Sequence, residues 1–151
     1  MVNVKDLMVG NLIYLSDPED RGNTRELFYI DEVCRGYIRV EEFGDFFDEI
    51  YLEPIPVTIE MLKRIGFEAH KGICPKTFYR YWDKEYRYKL DVDPDFCNSD
   101  RKFSIHIDNG DCNTIGSGEF TYVHELQNLV RCISGHSLPI TKEMIDGKVD
   151  K

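Results

Sequence analysis

The stretch Glu53-Pro-Ile-Pro-Val-Thr-Ile-Glu-Met-Leu-Lys-Arg-Ile-Gly-Phe67 predicts one short helix whose two ends are specified locally. Thr58 is the predicted N-cap, because its hydroxyl can accept a backbone N–H of the first helical turn. Gly66 can take the left-handed conformation that commonly ends a helix. The apolar side chains between these two residues recur at helical spacing, at Ile59, Leu62 and Ile65.

A second stretch, Tyr122-Val-His-Glu-Leu-Gln-Asn-Leu-Val-Arg-Cys-Ile-Ser-Gly135, predicts another short helix that also stops at a glycine. Thr121 can cap its start, and Pro139 prevents the helix from restarting after Gly135. Residues 141–146 are predicted to form one further helical turn. The apolar positions of the second helix are Val123, Leu126, Leu129, Val130 and Ile133.

The first third of the chain predicts β-structure. Short apolar or alternating runs are separated by segments rich in Gly, Asp, Asn and Pro, which are typical of turns. The predicted strands cover residues 12–15, 26–33, 37–40 and 46–52. Several short strands joined by short turns predict a small SH3-like or otherwise half-open β-barrel.

The middle of the chain predicts a second, antiparallel sheet. Residues 77–82 and 86–92 form a predicted hairpin, 93–101 a loop and 102–108 a strand, and Asn109-Gly110 is a strong hairpin turn. Gly116 and Gly118 are interpreted as turn glycines. The predicted fold is therefore α+β. It has a small SH3-like β-barrel over residues 1–55, a helix, antiparallel sheet and C-terminal helix over 56–140, and a short polar tail over 141–151.

Composition and charge restrict the class of protein. The chain has 151 residues and a net charge of −9, and no apolar run approaches the roughly 20 residues of a membrane helix. Residues 1–57 hold 5 Lys/Arg against 13 Asp/Glu, whereas residues 58–92 hold 8 against 5. The net charge repels nucleic acid at long range. The N-terminus lacks a signal-peptide hydrophobic region, and five cysteines without a C-x-x-C pair favour reduced thiols, so a cytoplasmic protein is expected.

Three segments carry more specific patterns. Residues 5–14 contain a Gly-Asn pair, residues 53–67 a Pro-Ile-Pro-Val-Thr…Gly-Phe pattern, and residues 122–138 a Tyr-Val-His-Glu-Leu-Gln-Asn-Leu…Ser-Gly pattern. Together they resemble a family of small uncharacterised proteins encoded by Bacteroidales genomes, prophages and phages. Glu125 stands where that family has Gln, and Ser134 where it has Thr. The family has no assigned reaction, so the resemblance implies a mobile-element setting and no catalytic residues.

The second predicted helix has a polar side formed by His124, Gln127, Asn128 and Arg131. One interpretation is a recognition surface for a protein or nucleic-acid partner. The interpretation that we favour is structural, because such side chains commonly satisfy buried backbone groups. These residues are still the first candidates for partner binding, since they lie in a segment that resembles the family.

Residues 78–90 interleave aromatic and basic side chains. Strand alternation places Phe78, Arg80 and Trp82 on one face of the sheet, and Arg87 and Lys89 are expected across from them on the next strand. The candidate nucleic-acid residues are Arg80, Trp82, Arg87 and Lys89. Such a face can stack single-stranded bases. The favoured alternative is a sheet with an aromatic core face and a solvated cationic face, because Asp83 and Glu85 dilute the positive charge.

No metal or other cofactor is expected. Residues 91–95 superficially resemble a calcium loop, but they lack the glycine and the closing Glu of that loop, so a polar turn is predicted. Two nitrogen and two sulfur ligands can bind zinc. The side chains that could supply these ligands are those of His70, Cys74, Cys132 and His136, but nothing in the sequence indicates that they lie close together.

The sequence has no enzyme signature, since G-x-S-x-G, a Walker loop and H-E-x-x-H are all missing. The leading hypothesis is a non-enzymatic binding or regulatory protein of a mobile element that acts on a host or phage protein. Two alternatives stay open. One is a nucleic-acid-associated module that uses the aromatic and basic face, and the other is an enzyme with an unrecognised active site.

Overall fold

A computed structural model of the chain describes residues 2–17, 19, 25–41, 43, 45–72, 77–95, 102–111 and 113–147. Within these residues the fold is α+β, with two antiparallel five-stranded sheets and three α-helices. The chain divides into two compact units, Met1–Pro56 with Tyr122–Asn128, and Val57–Thr121 with Leu129–Lys151. None of the described helices is long and apolar enough to cross a membrane.

The sheet of the first unit has the strand order β4-β3-β2-β1-β5. Its strands are β1 (Leu12–Ser16), β2 (Arg25–Cys34), β3 (Tyr37–Val40), β4 (Phe46–Phe47) and β5 (Leu52–Glu53). The first half of β2 pairs with β1 and its second half with β3, and the register shifts between Ile30 and Glu32. A shift of this kind bends a strand. Among the described residues the sheet stays open, so the predicted SH3-like barrel is not confirmed.

One face of this sheet carries the core of the first unit. Side chains of successive strand residues point to opposite faces, which explains why Ile38 and Val40 are buried while Tyr37 is exposed. A 3₁₀ turn, Val4–Asp6, adds residues from the N-terminus to the same core. The buried cluster comprises Val2, Val4, Leu7, Ile13, Phe28, Ile30, Ile38, Val40 and Leu52.

Residues 46–52, predicted as one strand, are divided by a 3₁₀ turn, Glu49–Tyr51. The Asp48 carboxylate accepts the backbone N–H of Ile50 at 3.1 Å and so caps this turn. Asp side chains offer the backbone this alternative to a strand ladder. The prediction of a single strand was therefore wrong, and a short β4 and a short β5 take its place.

The second unit begins with helix α1 (Ile59–Ile65). The Thr58 hydroxyl accepts the N–H of Met61 at 3.2 Å. Gly66 has a φ of +120° and its N–H is bonded to the Leu62 and Lys63 carbonyls. Both predicted ends of this helix are therefore confirmed.

The sheet of the second unit has the order β10-β9-β8-β7-β6. Its strands are β6 (Glu68–Lys71), β7 (Thr77–Asp83), β8 (Tyr88–Asp95), β9 (Lys102–Asn109) and β10 (Thr114–Phe120). Residues 91–95, predicted as a turn, belong to β8, so that prediction was wrong. Pro94 fits there because the described register between β7 and β8 ends at Val92, which leaves Pro94 paired with β9 alone.

Two helices follow the second sheet, α2 (Val123–Ser134) and α3 (Lys142–Asp146). Helix α2 contributes its residues up to Asn128 to the first unit and those from Leu129 to the second. The predicted helical turn near residue 141 is confirmed by α3. The Arg64 guanidinium binds the last carbonyls of α3, through Nε to Met144 at 2.7 Å and Nη2 to Ile145 at 3.2 Å.

Gly116 and Gly118 lie inside strand β10, so their interpretation as turn glycines was wrong. They are on the face that also carries Ile105 and Ile107 of β9. A Cβ at Gly116 would lie 2.5 Å from Ile133 Cγ2, and one at Gly118 would lie 2.7 Å from Leu129 Cδ2. The two glycines therefore let the second half of α2 approach the sheet closely.

Candidate functional site

The Gln127 side chain binds the backbone at the start of β1. Its Oε1 accepts the N–H of Leu12 at 3.0 Å and lies 3.5 Å from Asn11 Nδ2. Its Nε2 donates to the carbonyl of Gly10 at 3.3 Å. Both ends of this amide are therefore used within the first unit.

The Asn128 side chain completes the same arrangement. Its Oδ1 accepts a hydrogen bond from Asn11 Nδ2 at 2.9 Å, and its Nδ2 donates to the carbonyl of Asp6 at 2.7 Å. Asn11 is 3% exposed, and its own Oδ1 accepts the N–H of Met8 at 2.8 Å. We call Asn11, Gln127 and Asn128 the amide cluster.

The amide cluster explains why the Gly-Asn pair and the Gln-Asn pair occur in one sequence. Gly10 has a φ of +90°, which turns the chain into β1, and the cluster holds that turn to the beginning of α2. Buried amides left without partners would cost about 1–3 kcal/mol each. Gln127 and Asn128 therefore have a structural role, which is the interpretation that the sequence favoured.

His124 lies close to the amide cluster in the sequence, but it is buried against an aromatic ring. It is 4% exposed, and its ring stacks on Tyr122 with 5.9 Å between centroids. Among the described residues its Nδ1 has no hydrogen-bond partner. Burial lowers the pKa of His124, against the opposing charges of Glu125 and Asp6. The imidazole is therefore held neutral and out of reach of a partner.

Arg131 is set apart from the other three polar residues of the predicted helix. It belongs to the second unit and is exposed, as is the neighbouring Cys132. The helix start is closed by Glu125, whose carboxylate accepts the backbone N–H of Tyr122 at 3.0 Å. A Glu side chain at this position can close a helix start in this way.

The outer face of the second sheet carries three of the four predicted nucleic-acid residues. Arg80 makes two hydrogen bonds to Asp91, Nε to Oδ1 at 2.8 Å and Nη2 to Oδ2 at 3.1 Å. Lys89 Nζ lies 3.1 Å from Asp108 Oδ2 and 3.7 Å from Asp91 Oδ2. Trp82 is opposite Lys89 in the register and is exposed.

Asp108 is the most enclosed acid of this face. Burial by itself would raise the pKa of its carboxyl, but hydrogen bonds from the Thr114 hydroxyl and from Lys89, with the charge of Lys89, hold the pKa below its usual value. Arg80 and Lys89 are therefore both engaged by carboxylates. Since phosphate binding depends on local positive charge, this pairing weakens the case for nucleic acid.

Arg87 does not lie across from Arg80 and Trp82, as the alternation of the sequence suggested. The turn between β7 and β8 includes Arg87, which has a φ of +57°. The position opposite Arg80 is occupied by Asp91. The turn is longer than predicted, because β8 begins at Tyr88 and not at residue 86.

The residues considered for zinc take different places. The His70 ring stacks on Phe78, and the His136 ring stacks on Tyr86 at 3.7 Å between centroids. Cys74 lies outside the described residues. In the described part of the chain, no group of three or more His, Cys, Asp or Glu side chains is placed to hold a metal ion.

Sequence reasoning missed a row of aromatic rings in the first unit. Phe43 lies 5.3 Å from the buried Phe28 and 6.0 Å from Phe47, and Phe47 lies 6.0 Å from Tyr51, each pair edge to face. We call Phe43, Phe47 and Tyr51 the aromatic row. Phe43 is 44% exposed, and Ile50, next to Tyr51, is 57% exposed.

A sequence signal for this surface exists. Residues 41–53 contain six Asp/Glu and no Lys/Arg, and four aromatic residues are interleaved with the acids. This mixture of acidic and aromatic residues is typical neither of a fully solvated loop nor of a strand in the core. Comparison of the chain with protein-family models, with curated proteins and with solved structures finds no match.

Proposed function

We propose that this chain is a non-enzymatic binding protein whose partner is another protein, and that it acts in the cytoplasm as part of a mobile element. The observation that carries the proposal is an apolar patch in an acidic unit, where Phe43 and Ile50 are exposed beside the half-buried Phe47 and Tyr51. Exposed aromatic side chains that cluster mark interaction surfaces more often than isolated ones do.

The state of the polar motif residues also supports binding over catalysis. Gln127 and Asn128 use their amides to hold the turn at Gly10, and His124 is buried and neutral. A catalytic group must reach its substrate, which these side chains do not do in this structure. The mobile-element setting rests on the three segments that resemble the phage and prophage family.

The finer fold assignment belongs to the same proposal. We propose that the first unit is an SH3-like half-barrel. Support comes from the strand order β4-β3-β2-β1-β5, from the bend in β2 and from the 3₁₀ turn that precedes β5. Folds of this kind host many unrelated functions, so the function is argued from the surface and not from the fold.

The test is capture of a partner by the purified full chain from a lysate of the host, compared with the Phe43→Ser variant. A stoichiometric protein that is retained by the wild type and lost by the variant is expected. The absence of any stoichiometric partner across host and phage-infected lysates would contradict the proposal. Retention of oligonucleotides at low salt in place of a protein would favour the nucleic-acid alternative.

A further inference from the structure

We infer that the aromatic row and Ile50 dock a segment of a partner protein that carries Lys or Arg beside apolar side chains. This inference rests on the proposed function and adds the place of binding and the chemistry of the partner. Three features of the first unit carry it: the anchoring of the rings, the unneutralised acids around them, and the contrast with the opposite face of β4.

The rings are held in place before any partner binds. Phe43 contacts the buried Phe28, and Phe47 packs on the core of the first unit. Edge-to-face contacts of this kind add about 0.5–1.5 kcal/mol per pair beyond burial. A rigid aromatic surface loses little conformational entropy on binding, which is why aromatic residues dominate the energetics of interfaces.

The acids next to the row are available to a cationic partner. The ion pairs of the first unit join Arg25 to Glu53, and Arg39 to both Asp31 and Glu32. Within the described residues, the acids flanking the row form no ion pair with Lys or Arg: Asp45, Asp48 and Glu49. Complementary charge selects a basic partner and accelerates its encounter.

Phe46 provides a matched comparison. It follows Asp45 in sequence, is 49% exposed, and lies on the opposite face of β4 from Phe47, across from Arg39. Arg39 is the one basic side chain that the described register places against β4. Phe46 is thus similar in exposure to Phe43, but the acids on its side of the sheet, Asp31 and Glu32, are already paired with Arg39, whereas the acids flanking the aromatic row are not paired within the described residues.

The experiment titrates the 15N-labelled full chain with a synthetic peptide that alternates Lys with Leu and Trp. Two matched peptides replace Lys by Glu, or Leu and Trp by Ser. We expect shift changes at Phe43, Phe47 and Ile50 with the first peptide only. Phe43→Ser and Asp45→Lys should each weaken binding about tenfold, a loss of about 1.4 kcal/mol, and Phe46→Ser less than about twofold.

If Phe43→Ser unfolds, Asp45→Lys still tests the inference, because Asp45 is exposed and its substitution should leave the fold intact. Equal weakening by Phe46→Ser, equal binding of the Ser-containing peptide, or shift changes that map elsewhere would each overturn the inference. So would concentration-dependent dimerisation that shifts the same resonances, because the occupant would then be a second copy. If a lysate partner is still captured by both variants, the inference fails while the proposed function stands.

Discussion

Asn11 and Asn128 are 117 positions apart in the sequence and share a hydrogen bond of 2.9 Å between Nδ2 and Oδ1. The bond closes the amide cluster, in which each side-chain amide serves as both donor and acceptor. Since Asn11 is buried, its amide has no water to replace a lost protein partner. The beginning of α2 and the turn before β1 therefore depend on each other.

Asn128→Ala should lower the free energy of unfolding by about 1–3 kcal/mol, because it removes the acceptor that lies 2.9 Å from the buried Asn11 amide. Urea denaturation measures this loss. Combined with Asn11→Ala, the double-mutant cycle should give a coupling of about 1–2 kcal/mol. Cys132→Ala, an exposed change on the same helix, is the control and should stay within about 0.5 kcal/mol. Strictly additive losses would show that the two asparagines act independently.

Gly116→Ala should cost more stability than Gly118→Ala, although both are glycine-to-alanine changes in one strand. At Gly116 the new Cβ would meet Ile133 at Cγ2, Cδ1 and Cγ1, all within 3.0 Å, and a β-branched side chain cannot easily move away. At Gly118 it would meet the flexible end of Leu129. Overpacking of this kind costs about 1–3 kcal/mol.

The test of this ordering is thermal denaturation of the two variants and of Gly116→Ala combined with Ile133→Ala. The shorter side chain should restore part of the stability that Gly116→Ala removes. If the combined variant loses more stability than the two single variants lose together, the close approach of α2 is not the reason for a glycine at position 116.

The local features of the fold could be predicted because short-range chemistry determines them. Thr58 and Gly66 define α1 through a hydroxyl cap and a positive φ, and both can be recognised from the residues next to them in the sequence. The hairpin connection that follows Asn109 is equally local, because the Asn109 side chain accepts the backbone N–H groups of Asp111 and Asn113, although the connection is longer than an Asn-Gly turn and pairing resumes at Thr114. Residues 46–52 show the limit, since a single Asp48 side chain redirects the backbone into a 3₁₀ turn.

The features that could not be predicted depend on contacts between distant segments. No local pattern indicates that Asn128 meets Asn11, or that Gly116 is small because Ile133 lies above it. The charge of the outer face of the second sheet could not be predicted for the same reason. The sequence shows Arg80 and Lys89 as cations, while their partner Asp91 appears only once the register of β7 and β8 is known.

His124 should make the first unit less stable in mild acid. Its folded-state pKa is lowered below the ordinary value of 6.5, chiefly by burial. A lowered pKa gives stability that is fully present above the unfolded value and is lost as the pH falls toward the folded-state value. The free energy of unfolding should therefore decrease from about pH 7.5 to about pH 5.

Urea denaturation across this range, with the variant His124→Phe, checks the assignment. The variant keeps a ring against Tyr122 and should show a smaller dependence on pH. The charges of Glu125 and Asp6 act on the pKa of His124 in the opposite direction and raise it, but burial outweighs them. An unchanged dependence in His124→Phe would assign the acid sensitivity to another group.

Arg87 should tolerate glycine better than a β-branched residue, because it occupies a left-handed conformation with a φ of +57°. This conformation costs an L-residue roughly 1–2 kcal/mol and is most unfavourable for branched side chains. Arg87→Val is therefore expected to be about 1–2 kcal/mol less stable than Arg87→Gly, as measured by thermal denaturation. At Lys84, in the same turn but without a positive φ, glycine should give no advantage over valine. Equal stability of the two Arg87 variants would mean that the turn does not hold this residue in the left-handed region in solution.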